Sequence, residues 1–171
     1  MDHKIIVREK KEIDSDQIEI ILNKNFGENR HLRTVYLYRK KSPIKGLSLV
    51  SCLNEDPNTV IGTITFYRTL VSNINCLLLG PLAVSNLFQG KGFGKILVRK
   101  GLEIAKLKNE SICFVSGKYN YYKEFGFFEL SSKDLIIKAL GNLTYSELLV
   151  KELKKNCIYL LPLKVQLLPE K

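Results

Sequence analysis

The sequence predicts an α/β fold in which a mixed, mostly antiparallel central sheet carries packed helices. Three observations predict it. Residues 47 to 84 hold three β-branched and apolar runs separated by two turn signals, the pattern of consecutive antiparallel strands. Residues 92 to 108 repeat apolar side chains at helical spacing, with lysines and arginine on the other face. A short apolar run at residues 112 to 116 then reads as a buried strand. Strands and helices in this order form a layered sandwich.

The elements follow in order. Residues 4 to 8 are a first strand. Asp14-Ser15-Asp16-Gln17 opens a helix, because acidic residues and serine suit a helix N-terminus. Ile18, Ile21, Leu22 and Phe26 share one face of it, and Gly27 ends it. Leu32, Val35 and Tyr36 predict a second, short helix over residues 28 to 39. Residues 47 to 53 and 59 to 69 form a hairpin around the turn-prone Asn54-Glu55-Asp56-Pro57-Asn58. Ser72-Asn73 turns the chain into a strand over 75 to 84. Gly80-Pro81 lies within that strand, and proline cannot donate to a ladder, so a bulge or splay is expected there. In the helix over 92 to 108, Phe93, Leu97, Val98, Gly101, Leu102 and Ala105 face inward. Residues 119 to 125 predict a short helix ended by Gly126, and 127 to 130 a strand. Residues 135 to 137 are a further strand. Thr144-Tyr145-Ser146-Glu147 has capping-box form and predicts a helix through residue 155. Residues 157 to 168 read as extended chain interrupted by Pro162.

A length of 171 residues suits one domain with its own core, 1–171, and no repeat or linker divides it. No apolar run reaches the ~18 residues of a membrane span, and the N-terminus lacks a secretory pattern, so a cytoplasmic protein without membrane partners is expected. The four cysteines form no CxxC pair, and neither histidine sits beside one. Zinc-site spacing is therefore absent, no metal is expected, and the thiols read as reduced core residues. The net charge of +10 is spread along the whole chain. It reads as a lysine-rich solvated surface that also favours an anionic ligand; no dense basic tract or basic-aromatic interleaving points to nucleic acid.

The informative stretch is Gly80-Pro81-Leu82-Ala83-Val84-Ser85-Asn86-Leu87-Phe88-Gln89-Gly90-Lys91-Gly92-Phe93-Gly94-Lys95-Ile96. A strand ends at Val84, and a glycine-rich turn then opens an amphipathic helix. Without Cβ atoms at 90, 92 and 94, successive N–H groups can converge on one point. The helix adds its free N-terminal donors and positive dipole end, and Lys91 and Lys95 add cations. Such a cradle suits a diphosphate. It is not the dinucleotide fingerprint, whose last glycine would fall on Lys95 or Leu97, nor a Walker A loop, whose first glycine would fall on Gln89.

The chain resembles the Gcn5-related N-acetyltransferase (GNAT) superfamily, and especially its small bacterial branch with a Gly-Pro-Leu-Ala-Val strand. The Q/R-x-x-G-x-G/A pattern is met by Gln89, Gly92 and Gly94. A second match is Tyr121-Tyr122-Lys123-Glu124-Phe125-Gly126-Phe127. The resemblance covers about residues 4 to 130, leaving 131–171 as a less typical extension of the same domain. It implies the acyl-CoA N-acyltransferase fold with helices on both sheet faces. It also implies acetyl-CoA as cosubstrate and an amine acceptor, either a small molecule or a peptide. The diphosphate is then expected on the backbone of Gln89, Gly90, Lys91, Gly92, Phe93, Gly94 and Lys95. The pantetheine arm is expected along Leu82, Ala83 and Val84, with the Val84 amide polarising the thioester carbonyl. Tyr122 takes the place of the tyrosine that protonates the leaving thiolate; Tyr119 and Tyr121 read as packing or rim residues.

Two departures bear on activity. Many relatives use a carboxylate on the central strands as general base, yet no Asp or Glu lies between Arg68 and Gly101. Glu28, Glu55, Asp56 and His31 are the remaining candidates, beside a water chain or an amine that arrives neutral. Lys118 stands where close relatives often carry an acid, which bears on the cofactor rim or the substrate's charge preference; Asn86, where proline is common, is a harmless change. The alternative is therefore a catalytically weakened acyl-CoA-binding module of the same fold. The acceptor wall is expected from residues 26–46 and 131–171, and the state as monomer or homodimer.

Overall fold

A computed structural model describes residues 4–32, 34–138 and 148–170. The strands are β1 (Ile5–Glu9), β2 (Ser48–Leu53), β3 (Val60–Val71), β4 (Ile74–Val84), β5 (Ile112–Ser116), β6 (Phe128–Glu129), β7 (Ile136–Lys138), β8 (Leu148–Glu152) and β9 (Lys164–Pro169). The helices are α1 (Ser15–Phe26), α2 (Phe93–Leu107) and α3 (Tyr119–Tyr122). The main sheet runs β1-β2-β3-β4-β5-β8-β6, with β9 joining the far end of β3 and pairing β7. Along that run only β4 and β5 are parallel, so the mixed, mostly antiparallel sheet is as expected. The crossover between those two strands is α2, since parallel neighbours need a long connection.

Period-two alternation decides which helix covers which face. On β2, Leu49 joins Ile64, Phe66, Leu77 and Leu79 beneath Leu97, Val98, Leu102 and Ala105 of α2. Its neighbour Val50 joins Cys52, Val60 and Ala83 beneath Ile18, Ile21 and Leu22 of α1. The two helices thus lie on opposite faces. Burying each Val, Leu, Ile or Phe among them contributes roughly 1.5–3 kcal/mol. α2 packs so closely that a Cβ on Gly101 would stand 2.5 Å from the Phe66 ring. A third cluster lies on the side of Leu78, where Phe114, Leu148 and Val150 meet Tyr38, Ile137 and Leu167.

Three expectations need correction. Residues 28 to 39 form two 3₁₀ turns, Glu28–Leu32 and Thr34–Arg39, rather than one helix. Tertiary anchors set these tighter turns: Arg30 is buried against Glu19 and Asn23 of α1, and the Tyr38 hydroxyl donates to the Leu167 carbonyl at 3.0 Å. The helix expected from Thr144 starts outside the described residues, and its later part is strand β8. Leu148, Leu149 and Val150 are all buried because β8 lies inside the sheet, between β5 and β6. A strand covered on both faces loses its alternation and mimics a helix pattern. Finally, residues 157 to 168 begin with a 3₁₀ turn at Cys157–Leu160, and β9 starts only at Lys164.

Cys52, Cys76, Cys113 and Cys157 are free and buried, as the sequence predicts. Burial pushes the Cys76 thiol up to about 12, so it stays neutral in the core. Among the described residues, no helix is long and apolar enough to cross a membrane.

Candidate functional site

The site begins where two strands part. β4 pairs with β5 only through Leu77, Leu78 and Leu79, opposite Cys113, Phe114 and Val115. At Gly80 the backbone swings to φ +127°, and the β3–β4 register shifts between Ile64 and Phe66. This is the splay that Gly80-Pro81 predicts. Beyond it β4 keeps β3 as a partner but has no strand on its other edge among the described residues. The Ser85 amide donates to the Ile61 carbonyl at 2.8 Å. Bonded pairs alternate along an antiparallel ladder, so the main-chain groups of Leu82 and the Val84 amide face the gap, while the Val84 carbonyl on that edge is taken by side chains. Ala83 turns its side chain under α1 instead.

The chain leaves Val84 through a 3₁₀ turn at Asn86–Phe88 and reaches the glycines. Gly90 and Gly92 have φ of +76° and +85°, and Gly92 is the left-handed cap of α2. A Cβ at either would meet nothing within 4 Å, so both face open space. A cavity of about 220 Å³ opens there, walled by Val84, Phe88, Tyr121 and the turn residues Gln89, Gly90, Gly92, Phe93, Gly94 and Lys95. The first turn of α2 directs its free N–H groups and positive dipole end to the same region. Gly94 differs from the other two: its added Cβ would lie 2.9 Å from the Tyr121 hydroxyl.

Three side chains of the turn have protein partners. Gln89 Nε2 donates to the Val84 carbonyl at 3.1 Å, to Asn25 Oδ1 at 2.9 Å and to Asn86 Oδ1 at 3.1 Å. Its amide ties the glycine turn back to the end of β4, and Asn25 Nδ2 supports the same carbonyl from α1. Lys95 pairs with Glu124 at 2.7 Å, a carboxylate it shares with Arg99. Lys91 sets its Nζ 5.2 Å above the Phe88 ring.

The two tyrosines after β5 divide their positions. Tyr121 lines the cavity, at the rim as expected. Tyr122 is only 8% exposed, edge-on to Tyr121 at 4.9 Å and to Phe127 at 5.6 Å. A Cβ on Gly117 would stand 2.5 Å from its ring, which wedges the tyrosine against the end of β5. Burial, and next to it the neighbouring Tyr121, pushes the Tyr122 phenol well above its ordinary value. It therefore keeps its proton throughout the neutral range. Among the other residues considered from sequence, Glu28, Glu55 and Asp56 are exposed. His31 is also exposed, with its ring 5.0 Å from that of Tyr36.

The sequence reading misses one group. The Arg39 guanidinium lies 4.7 Å from the Tyr36 ring centre and 5.9 Å from that of Tyr67 on β3. Its Nη2 would be 3.0 Å from a Cβ on Gly80, where β4 kinks. Burial pushes its pKa down and that of the Tyr67 phenol up. In the sequence Arg39 precedes Lys40-Lys41 and looks like one more surface cation.

The comparisons with known proteins agree with this geometry. The Acetyltransferase (GNAT) family matches residues 16–127. No curated protein matches the sequence. Among solved structures, the Escherichia coli GNAT family N-acetyltransferase YhbS in complex with CoA superposes with a TM-score of 0.81 at 22% identity, over 97% of this chain and 91% of that one. A GNAT family acetyltransferase from Brucella melitensis in complex with acetyl-CoA gives 0.70 at 20% identity, over 98% and 97%. The NatC complex bound to Gag peptide and CoA gives 0.66 at 18% identity, over 88% and 99%. With a cradle-forming glycine turn on a splayed sheet and more than half its length matched by the family pattern, this chain belongs to the GNAT acetyltransferase family.

Proposed function

We propose that the protein transfers the acetyl group of acetyl-CoA to a primary amine by direct attack, with both substrates bound together. The observation that carries this reading is continuity: the open β4 edge at Leu82 and Val84 runs into the turn at Gly90 and Gly92. An unpaired strand edge takes an extended amide-bearing chain. A positive-φ turn at a helix N-terminus takes a diphosphate. Pantetheine and diphosphate occur in that order in coenzyme A. Two solved neighbours hold CoA and acetyl-CoA, which supports the same ligand here.

Acetyl-CoA supplies the activated thioester; the chain positions and polarises. The Val84 amide, facing the gap, is the donor toward the carbonyl, where charge develops during attack. Tyr122, kept protonated by burial, is the proton donor to the departing sulfur. Lys95 and Lys91 raise the positive potential around the turn. With no carboxylate between Arg68 and Gly101, the amine arrives neutral or gives its proton to water.

That missing carboxylate also favours the second reading, a module that binds acyl-CoA without turnover. Calorimetry with acetyl-CoA, followed by thiol release on a panel of amines, separates the two. Saturable binding with amine-dependent release is expected. Binding without release supports the module, and no binding of CoA or acetyl-CoA overturns both.

A further inference from the structure

We propose that the amine acceptor carries a carboxylate, and that Arg39, held between Tyr36 and Tyr67 beside Gly80, binds it. The inference rests on the acetyltransferase reading and names the acceptor class for that same cleft. Arg39 is part-buried, and its Nε is buried without any hydrogen-bond partner. Among the described residues no carboxylate forms an ion pair with it. Nearby Arg30 adds unfavourable charge rather than relief, and Glu19, whose charge reaches Tyr67, is already paired with Arg30. A desolvated cation is ordinarily paired. The tyrosine rings stack on the guanidinium and Tyr36 adds a side-chain hydrogen bond, yet its five N–H donors lie in its plane and Nε keeps no partner. A carboxylate matches that edge with two parallel hydrogen bonds.

The position fits an acceptor site. Arg39 sits over Gly80, at the kink that opens the gap between β4 and β5. Its charge also acts on Tyr122, the group proposed to face the sulfur. The glycine turn follows the other end of that open edge, beyond Val84. An amine whose carboxylate rests on Arg39 would therefore enter from the side away from the diphosphate.

Three measurements test this on the full-length protein. In the first, acetyl-CoA affinity is compared for wild type, Arg39→Gln and Arg39→Lys. Equal affinities are expected, and a wild type that ignores acetyl-CoA refutes the acetyltransferase reading rather than this one. In the second, the Arg39 Nε–H resonance, identified by its loss in Arg39→Gln, is titrated with N-acetylglycine and with N-acetylglycine methyl ester at millimolar concentration. A saturable shift with the acid alone is expected; no shift with the acid, or an equal shift with the ester, overturns the proposal. In the third, thiol release is compared for amino acids and their amides. The acids should be preferred, and Arg39→Gln should raise their KM by about ten- to a hundredfold, as for loss of charge-assisted hydrogen bonds. Arg39→Lys should recover part of that loss, and the KM of the amides should rise far less than that of the acids, while kcat changes alike for both because Arg39 also acts on Tyr122. Preference for amides, or equal losses on both, overturns the assignment. Peptides with an acidic second residue, run beside the free amino acids, distinguish a protein terminus from a small acceptor.

Discussion

The Tyr121 hydroxyl stands 2.9 Å from the point a Cβ would occupy on Gly94. The Tyr121 ring is not free to retreat, since it packs on Tyr122 at 4.9 Å and on Phe125 at 5.8 Å. Gly94→Ala should therefore displace the cavity wall and weaken acetyl-CoA binding by about tenfold, or about 1.4 kcal/mol. Adding Tyr121→Phe removes the clashing oxygen and should restore most of the affinity. Calorimetry on the single and double variants checks this; a double variant no better than Gly94→Ala refutes it.

Gly92 is needed for a different reason. Its φ of +85° costs a β-branched residue about 1–3 kcal/mol of strain. The side chain would also project into the open space above the turn. Gly92→Val should abolish acetyl-CoA binding while circular dichroism still reports a folded chain. Unchanged affinity would remove the turn from the binding site.

Tyr122→Phe should lower turnover by about a hundredfold, the low end of general acid catalysis, and leave acetyl-CoA affinity near normal. The raised pKa adds a pH signature. Activity of the wild type should not fall on the alkaline side at the ordinary phenol value of 10.0, because the buried phenol still holds its proton there. Pre-steady-state thiol release against pH reads both effects. Equal turnover in the variant sinks the acid role.

Asp14 carries the acid-side prediction. It is 1% exposed, accepts from Arg8 at 2.7 and 2.9 Å, and accepts from the Lys11 amide at 2.7 Å. Hydrogen bonding from Arg8 is the main cause that lowers its pKa. The unfolded state therefore binds this proton more readily, so the contribution is full above the ordinary carboxylate value of 3.8 and is lost as pH falls through the depressed one. Asp14→Asn should cost about 2 kcal/mol at neutral pH, as for loss of a charge-assisted hydrogen bond to a part-exposed partner. It should also flatten the drop in Tm between neutral and acidic pH. Thermal melts across that range provide the measurement.

The local signals read well in the sequence. The hairpins from 47 to 84, α2 and the glycine turn each write their geometry into neighbouring residues: alternation, helical spacing, absent Cβ atoms. Gly80-Pro81 marked the splay because proline cannot complete a ladder. What failed to show was set from a distance. Leu148-Leu149-Val150 lost its strand period because β8 is covered on both faces. The Gln89 side chain carries no local sign that its amide ties the turn to Val84, Asn25 and Asn86. Arg39 and Tyr67 meet only after β3 folds back beneath the 3₁₀ turns, and no local pattern links them.

The pairing of β9 with the end of β3 reaches further than the sheet edge. Thr69 Oγ1 donates to the Leu168 carbonyl at 2.6 Å, and Tyr38 donates to Leu167, one residue away along β9. Tyr38 is the immediate neighbour of Arg39. The last strand thus works as a splint for the segment carrying Arg39, while the glycine turn is held separately by Asn25 and Gln89. On the proposed reading, changes that loosen β9 blur which amine is chosen without releasing the coenzyme, so selectivity and grip can drift independently as such chains diverge.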